Sequence, residues 1–496
     1  MKLEREAKLA ADASFDLPDL HEAIPGVGAS AEGTERFVTS YYDTADLRLT
    51  RWGGSLRYRT GVGWTVKLPG GTDDEVITRQ EVTFEGPSVR PPAAALDLLS
   101  AFVRTSPVRL ATRMQTLRHL VALSANDDGE VAEVVDDEVT VLDGRRIVER
   151  FREVEVELVV DGDERVLEAV VSSLVRGGAR REEAMPKATR ALRPNSLLPP
   201  DVVVPRVGKR STVHEVMRAA IAASTERLIR HDPLVRLGED AEGVHQARVA
   251  TRRLRSDLRS FRALLVEGPR DHLREELGWL GTELGRVRDL DVLDERLRRH
   301  ASATLDDDAR GVATLLQRLR AQQGSARAEL LSAMREPRYV ALLDDLVDST
   351  VSPPVRAEVA EVRAIETLAD VMERPWAHLA RLGERLGPSS SDADLHEARI
   401  RVKRVRYAAE ALAPVAGKPA RRFARRAAAM QVVLGEHQDA VMATAWLREQ
   451  AAGTTSRVAF TAGVLSGLEA RAKDAARQAW PSAWDRLNDR RLRFWA

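Results

Sequence analysis

The hydrophobic pattern of this 496-residue chain changes its period once, at a proline-rich segment that spans residues 194–209. Before this segment, short stretches alternate apolar and polar residues between glycine, aspartate and proline, which predicts β-strands. After it, apolar residues recur every three to four positions in sequence rich in alanine, leucine, arginine and glutamate, which predicts helices. We therefore expect a multi-domain α+β protein: an antiparallel β domain over residues 1–195, a linker over 196–208, and an all-helical domain over 209–496.

The helical half contains an internal repeat. The sequence VHQARVATRRLRSDLRSF at residues 244–261 aligns without a gap with LHEARIRVKRVRYAAEAL at residues 395–412, an offset of 151 residues. A second match, LGRVRDLDV from Leu284 with LGEHQDAVM from Leu434, has an offset of 150 residues. Two matches at nearly one offset indicate a duplication. We predict two tandem helical repeats, at about residues 209–350 and 351–496.

Composition narrows the possible chemistry. The chain has no cysteine, which excludes disulfides, thiolate nucleophiles and cysteine-bound zinc. Residues 1–200 carry 26 basic and 34 acidic side chains of the 76 of each in the whole chain, which leaves 50 basic and 42 acidic in the remainder. No apolar run reaches the roughly 18 residues of a membrane span, and the first residues lack the apolar core of a secretory signal. We expect a cytoplasmic protein with no membrane contact.

Charged residues recur at every second position in the β half. The three rows are Glu4, Glu6 and Lys8; Glu153, Glu155 and Glu157; and Arg57 with Arg59. Side chains at this spacing on a strand share one face. Like charges in a row repel unless counter-ions lie among them, so these rows suit hard divalent cations and phosphates. The alternative is a solvated outer face with salt bridges between strands.

Basic residues form a stripe in each copy of the helical repeat, beginning at a histidine and continuing at offsets of 3, 7 and 10 residues, and in the first copy also 14. The first stripe is His245, Arg248, Arg252, Arg255 and Arg259, the second is His396, Arg399, Lys403 and Arg406, and Arg253 and Arg404 flank them. These offsets lie on one face of a helix. Like charges at this spacing destabilise a helix by tenths of a kcal/mol per pair, so the stripes indicate a polyanionic partner.

Two alternatives to this interpretation are open: each stripe could be salt-bridged to neighbouring helices, and each histidine could serve as a structural cap or hydrogen-bond donor. Proteins that bind single-stranded nucleic acids interleave aromatic residues with positive charge. Aromatic residues make up only 4% of this chain. We therefore expect a partner that carries phosphates without bases, and no nucleic acid.

The β half resembles a known family. The row Glu4, Glu6 and Lys8, followed by YYDTADLRLTRWGGSLRYRTGVGWTVKLP at residues 41–69, is similar to the CYTH family of triphosphate tunnel metalloenzymes. The resemblance covers about residues 1–195 and continues through FREVEVEL from Phe151 and PKATRAL near Lys187. It implies a closed β tunnel that contains the charged rows and hydrolyses a triphosphate with Mg²⁺ or Mn²⁺.

The resemblance also implies residue roles. The catalytic residues would be Glu4, Glu6 and Lys8. The metal would be held by Glu4, Glu6, Glu155, Glu157 and Asp137, with Asp136 as a competitor for the position of Asp137, and with Glu81 as a weaker acidic candidate. The triphosphate would be held by Lys8, Arg57, Arg59, Lys67, Arg113 and Lys187.

The two histidine-led segments, VHQARVATRRLRSDL and LHEARIRVKRVRYAAE, resemble the CHAD family, the conserved histidine α-helical domain, over about residues 208–496. This resemblance implies two pseudo-symmetric helical bundles whose basic stripes line a channel that binds inorganic polyphosphate. Together the resemblances predict a metal-dependent inorganic triphosphatase or short-chain polyphosphatase with a polyphosphate-binding domain.

The alternatives are a non-catalytic polyphosphate-binding protein targeted to polyphosphate granules and, from other CYTH members, a nucleotidyl cyclase. Inorganic triphosphate, a nucleoside triphosphate and a thiamine phosphate offer the same terminal group, so the sequence leaves the substrate open. It also leaves open the preferred metal and the oligomeric state.

Overall fold

The computed structural model describes residues 6–21, 27–69, 80–125, 129–159, 164–181, 185–301, 309–387 and 389–496. The chain divides into two compact units, Met1–Asp201 and Val202–Ala496. The first is built mainly from strands and the second from helices, which confirms the predicted α+β class. Within the described ranges, none of the helices is both long enough and apolar enough to cross a lipid bilayer.

The first unit contains nine strands in its described part. They are β1 (Glu6–Ala11), β2 (Val27–Asp43), β3 (Ser55–Arg59), β4 (Gly63–Lys67), β5 (Glu81–Phe84), β6 (Arg109–Ala125), β7 (Gly129–Asp143), β8 (Arg146–Leu158) and β9 (Arg180–Arg181). They form one antiparallel sheet in the order β5-β4-β3-β2-β6-β7-β8-β1-β9. Over the described residues no ladder joins β5 to β9, so the closed hydrogen-bonded tunnel implied by the resemblance is not seen there.

Five α-helices accompany the sheet in the described part of this unit. They are α1 (Arg48–Arg51), α2 (Ala93–Leu98), α3 (Ser100–Val103), α4 (Glu164–Arg176) and α5 (Lys187–Ala191). The amphipathic α4 buries Val170 and Leu174 in one core with Leu9 of β1 and Val154 and Val156 of β8. Because side chains alternate between the two faces of a strand, the neighbours of these apolar residues point to the opposite face. That face carries Lys8, Glu153, Glu155 and Glu157, which are described members of two of the predicted charged rows.

The segment at residues 41–50, which carries part of the CYTH resemblance, has a structural role. Asp43 is buried and accepts hydrogen bonds from the backbone N–H groups of Thr44, Leu49 and Thr50 over 2.7, 3.0 and 2.8 Å, and from the Thr50 hydroxyl over 2.7 Å. A carboxylate with this many donors stabilises the turn before α1 and keeps β2 and β3 adjacent.

The beginning of the proline-rich segment is anchored to the first unit. The indole N–H of Trp52 donates to Asp201 over 2.7 Å, and the guanidinium of Arg104 pairs with the same carboxylate. Arg51 donates to the backbone carbonyl of Pro199 over 2.7 Å. Residues 199–201, predicted as linker, are therefore held by side chains of the β unit.

The second unit consists of ten described α-helices. They are α6 (Val213–Leu237), α7 (Ala241–Ser260), α8 (Glu267–Ala301), α9 (Ala309–Ala333), α10 (Pro337–Val351), α11 (Ala357–Ala360), α12 (Leu368–Gly383), α13 (Asp392–Ala416), α14 (Lys418–Ala451) and α15 (Ser456–Leu487). Helices α7 and α13 begin 151 residues apart (392 minus 241), and α8 and α14 do so as well (418 minus 267). The element order therefore agrees with the predicted duplication.

Equivalent helices of the two repeats pack against each other. Helix α7 contacts α13, α8 contacts α14, and α9 contacts α15. Leu297 of α8, Leu319 of α9, Leu447 of α14 and Leu465 of α15 are buried in one core. The two basic helices, α7 and α13, are therefore in direct contact.

Candidate functional sites

The charged face of the sheet brings together an acidic cluster and two lysines. Lys8 of β1 donates a hydrogen bond to Glu155 Oε1 on β8 over 2.9 Å. Lys187, the first residue of α5, approaches three carboxylates: its Nζ lies 2.6 Å from Asp137 Oδ2, 3.1 Å from Glu155 Oε1 and 3.2 Å from Glu153 Oε1. All three carboxylates are buried. Buried carboxylates need such compensation, so Lys187 is central to the cluster.

Burial and neighbouring charges move the pKa values of this cluster apart. Burial raises the pKa of Glu153 to about 7, against the opposing charge of Lys187. Burial acts on Glu155 in the same direction, but the charge of Lys187, a hydrogen bond with Glu153 and the charge of Lys8 outweigh it and hold the pKa of Glu155 well below its usual range. Burial alone would lower the pKa of Lys187, yet the surrounding carboxylates raise it. Two adjacent carboxylates on one strand therefore differ in their affinity for a proton.

Asp137 links this cluster to a cation on β6. Arg118, directly opposite Asp137 in the β6–β7 ladder, donates two hydrogen bonds of 2.8 Å to its two oxygens. Burial raises the pKa of Asp137, but the hydrogen bond from Arg118 and the charge of Lys187 outweigh it and lower the pKa. Asp136 points to the other face, where Arg152 binds it over 2.9 and 2.7 Å. Of the two aspartates considered, Asp137 is thus the one on the charged face.

Arg113 is not brought to this face. It is exposed and lies five residues before Arg118 on β6, an odd spacing that turns the two side chains to opposite faces. The neighbouring ladder pair, Met114 and Val141, is buried in a core on the charged side of the sheet. Arg113 and its ladder partner Leu142 therefore point to the other side. The sequence prediction included Arg113 and missed Arg118. The β6–β7 register distinguishes the two, because it sets Arg118 directly opposite Asp137 and so on the same face of the sheet.

Arginine side chains dominate the β2–β5 end of the same face. The Arg59 guanidinium lies 3.5 Å from the ring centroid of Phe37. Arg57 and Lys67 both approach Glu81, Arg57 at 3.6 Å. The Nε atoms of Arg57 and Arg59 are buried and have no hydrogen-bond acceptor among the described residues. Burial, and then the charges of other arginines, lower the pKa of Arg59. Buried donors without acceptors are unfavourable, so an anion that accepts hydrogen bonds from these two groups would bind favourably here.

The predicted metal ligands lie only partly within the described residues. Glu4 is outside them, and Glu6 is described only by its backbone, which pairs with Glu157 of β8. No group of three or more acidic residues and histidines in the described part of the chain is arranged as a metal site. Carboxylates are nevertheless the donors that Mg²⁺ and Mn²⁺ prefer, so the donor chemistry of Glu155 and Glu157 fits such an ion.

In the second unit, a cavity of about 330 Å³ lies where α7 and α13 meet α8 and α14. Its basic lining residues are His245, Arg248, Arg252, Arg288, Arg296, Arg399 and Lys403. Its acidic lining residues, Asp289 and Asp439, are equivalent at the repeat offset of 150. The rest of the wall is largely apolar and includes Leu293 and Trp446. The cavity therefore has a net positive charge, and much of its remaining wall is apolar.

Several cations of this cavity lack an acidic partner. Neither Lys403 nor Arg399 forms an ion pair with a described residue, and the buried Nε of Arg399 has no hydrogen-bond acceptor there. Arg248 pairs with Asp289 over 2.8 Å, whereas Arg252 donates to the Tyr407 hydroxyl over 2.7 Å. Burial lowers the pKa of Arg399. An anion in the cavity would relieve this unbalanced positive charge.

A second basic cluster lies farther along α7. Burial, and then the charge of Arg274, lower the pKa of Arg259; burial, and then the charge of Arg259, lower the pKa of Arg404. Arg255 is also a charged neighbour of Arg259. Arg259 lines an open groove of about 900 Å³, and neither Arg259 nor Arg404 forms an ion pair with a described residue. The stripe predicted as one surface is thus divided between a cavity and a groove.

Other residues of the predicted stripes have partners in the protein. Arg406 donates to Glu410 over 2.7 Å, and Arg253 approaches the same carboxylate at 3.4 Å. The Nδ1 atom of His396 lies 2.7 Å from Gln438 Oε1. Arg406 and Arg253 are thus salt-bridged within the protein, and His396 has a hydrogen-bond partner there, as the alternative interpretations of the stripes expected. His245, in contrast, lines the cavity.

Comparison with known proteins agrees with this architecture. The sequence matches the CYTH domain family over residues 2–184 and the CHAD domain family over residues 219–448. Two uncharacterized proteins of Mycobacterium tuberculosis, from strains CDC 1551 / Oshkosh and ATCC 25618 / H37Rv, are each 31% identical over 521 residues, which cover 98% of this chain and 96% of the relative. The chain belongs to the CYTH–CHAD proteins.

Two solved structures are similar to part of this CYTH–CHAD protein. PptA from Streptomyces chartreusis has 24% identity and a TM-score of 0.47, and the match covers 55% of this chain and 100% of that one. The CHAD domain from the plant Ricinus communis has 27% identity and a TM-score of 0.44, with 56% of this chain and 96% of that one covered.

Proposed function

We propose that this CYTH–CHAD protein is a metal-dependent inorganic triphosphatase or short-chain polyphosphatase whose helical unit binds polyphosphate. The observation that carries the proposal is the pair of buried Nε donors on Arg57 and Arg59, which have no described acceptor and share a sheet face with the carboxylates around Lys187. A triphosphate supplies oxygen acceptors for these Nε donors, and it also supplies the phosphate oxygens that a metal ion held by the carboxylates would bind.

Six cations of this face would hold the triphosphate. They are Lys8, Arg57, Arg59, Lys67, Arg118 and Lys187. Arg113 is left out, since it lies on the opposite face. Lys187 has a particular role, because its Nζ contacts three carboxylates. Phosphate oxygens would compete with these carboxylates for the ammonium group and would displace some of them.

A divalent ion fits the donor chemistry of the acidic row. Glu155 and Glu157, with Glu4 and Glu6, would hold Mg²⁺ or Mn²⁺, and the bound ion would neutralise phosphate oxygens and favour attack by water on the terminal phosphorus. Asp137 has its two oxygens on Arg118 and Lys187, so we assign it the positioning of these cations. An ionised carboxylate of the row would accept the proton of the attacking water.

The helical unit would bind polyphosphate through two sets of cations without acidic partners. One set lines the cavity and includes Arg252, Arg399 and Lys403; the other includes Arg259 and Arg404. A flexible polyanion that engages both sets gains affinity from the second contact without a second loss of translational freedom. Long chains should therefore bind more tightly than inorganic triphosphate.

Two other functions remain as alternatives. A non-catalytic polyphosphate-binding protein would keep the binding properties of the helical unit and release no phosphate from triphosphate under any condition. A nucleotidyl cyclase would convert ATP to a cyclic product and pyrophosphate. The described residues give no specific support to a nucleobase pocket, so we rank the cyclase last.

Exchanging Arg118 and, separately, Arg113 for methionine tests the assignment of the phosphate-holding face. We expect Arg118→Met to lower kcat/KM for inorganic triphosphate by about 10- to 100-fold, because it removes a charged hydrogen-bond donor. Arg113→Met, on the same strand and of the same size, should leave kcat/KM unchanged. Steady-state phosphate release measures both. A larger loss in Arg113→Met than in Arg118→Met would overturn the assignment.

A further inference from the structure

The duplication contains an unequal pair at its centre. Lys403 of α13 is equivalent to Arg252 of α7 at the repeat offset of 151 (403 minus 252), and both line the same cavity. An arginine keeps its charge in proteins at any physiological pH, whereas a buried lysine loses its proton readily. One copy of the repeat therefore contributes a fixed charge and the other a charge that can be lost.

The surroundings of Lys403 are predominantly cationic, although not on every packed helix. Helix α7 contributes His245, Arg248 and Arg252; α8 contributes Arg288, Asp289 and Arg296; α13 contributes Arg399; and α14 contributes Asp439. Two of these cations are balanced locally, since Arg248 pairs with Asp289 over 2.8 Å and Arg296 with the buried Glu469 over 2.6 Å. Lys403 itself makes no ion pair or hydrogen bond with any described residue.

Burial and these charges act on Lys403 in the same direction. Burial, and then the charges of Arg399, Arg252 and Arg248, lower the pKa of Lys403 to about 7, against a small opposing effect of Asp439. The cavity without ligand therefore holds a lysine that is protonated only in part at neutral pH. A polyanion would reverse the sum of charges around the amine and favour its protonated form.

We propose that binding of polyphosphate in this cavity is coupled to uptake of a proton by the Lys403 amine, so that affinity falls as the pH rises from neutral to alkaline values. The inference rests on the proposed function of the helical unit and adds a regulation to it. A shift in cytoplasmic or local pH would then change how much polyphosphate the protein holds, with no change in the other cations.

The direction of this pH dependence follows from the linkage between proton binding and polyphosphate binding. Below about pH 7 Lys403 carries its proton with or without ligand, so this residue adds no pH dependence. Between about pH 7 and the ordinary lysine pKa of about 10.4, only the complex carries the proton, and affinity falls by up to about tenfold per pH unit. His245, whose pKa is lowered by burial and then by the charge of Arg288, titrates on the acidic side of this range. Burial raises the pKa of Asp439.

Isothermal titration calorimetry of the full chain with long-chain inorganic polyphosphate tests the proposal. EDTA suppresses hydrolysis, and titrations between about pH 7.5 and 9 keep His245 neutral. Two buffers of different ionisation enthalpy report the protons taken up. The variants are Lys403→Arg, which keeps the charge at every pH, and Lys418→Arg, the same change at an exposed position at the start of α14.

The proposal requires proton uptake and a pH-dependent Kd in the wild type and in Lys418→Arg, with both reduced in Lys403→Arg while binding itself is retained. Tight binding with no proton uptake, or identical uptake in Lys403→Arg, would overturn the coupling and leave the proposed polyphosphate binding intact. Absence of binding in the wild type at every pH would overturn both.

Discussion

Replacing Arg252 and Arg404 by glutamate is expected to abolish retention of the protein on long-chain inorganic polyphosphate. The two residues belong to different clusters, Arg252 to the cavity and Arg404 to the group around Arg259. The double change reverses one charge in each cluster, so repulsion replaces attraction at both points of contact. Each lost phosphate contact should also reduce the salt dependence of binding, by about 0.7 in the slope of log K against log salt for a single-stranded polyanion.

The fold should tolerate this change, because neither arginine neutralises a described acidic residue; Arg252 donates only to the Tyr407 hydroxyl. The matched control is Arg320→Glu with Arg471→Glu, an equal change of charge at exposed positions on α9 and α15. Retention on a polyphosphate matrix over a salt gradient compares the two. Retention of the Arg252 and Arg404 double variant at the wild-type salt concentration would mean that polyphosphate binds to another surface.

Replacing Arg57 and Arg59 by methionine should lower kcat/KM for inorganic triphosphate by about 10²- to 10⁴-fold. Each guanidinium contributes a charged hydrogen bond of about 1.5–3 kcal/mol to a phosphate oxygen, and two such losses give this range. The protein should stay folded, because the buried Nε donors of both arginines have no described acceptor to lose. Glu81, which Arg57 approaches, keeps its pairing with Lys67.

The control for this double variant is Arg145→Met with Arg146→Met, the same exchange at exposed positions near the β7–β8 turn. Phosphate release and thermal unfolding should be measured on all three proteins. A folded Arg57 and Arg59 variant with wild-type kcat/KM would exclude this face as the site of catalysis. A variant that loses activity only because it unfolds would be recognised by its lowered Tm.

The period-two pattern of the β half predicted most of the charged face. Arg57 shares a face with Arg59, and Glu153 with Glu155, because alternate residues of one strand point to the same side. The pattern does not specify which parity of another strand faces the same way, since this depends on the ladder register. The family resemblance selected Arg113, whereas the β6–β7 register sets Arg118 opposite Asp137.

The helical half shows a different limit. The repeat identified α7 and α13, and the second aligned segment already contained the equivalent residues Asp289 and Asp439 that line the cavity. Their significance depends on how α8 and α14 pack, which a linear repeat does not show. The pairing of Arg406 with Glu410 could have been predicted, because the two residues are four apart on one helix. The approach of Arg253 to the same carboxylate could not, because it depends on how α7 packs on α13.

The central claim is metal-dependent hydrolysis on the charged face of the CYTH unit. Its most direct test is phosphate release from inorganic triphosphate and from ATP by the full chain with Mg²⁺, with Mn²⁺ or with EDTA, beside the double variant Glu4→Ala with Glu6→Ala. We predict release that requires the divalent ion and disappears in the variant, and the two substrates will then be ranked by kcat/KM. No release from either substrate under any condition, with polyphosphate binding retained, would contradict the claim and identify a polyphosphate-binding protein.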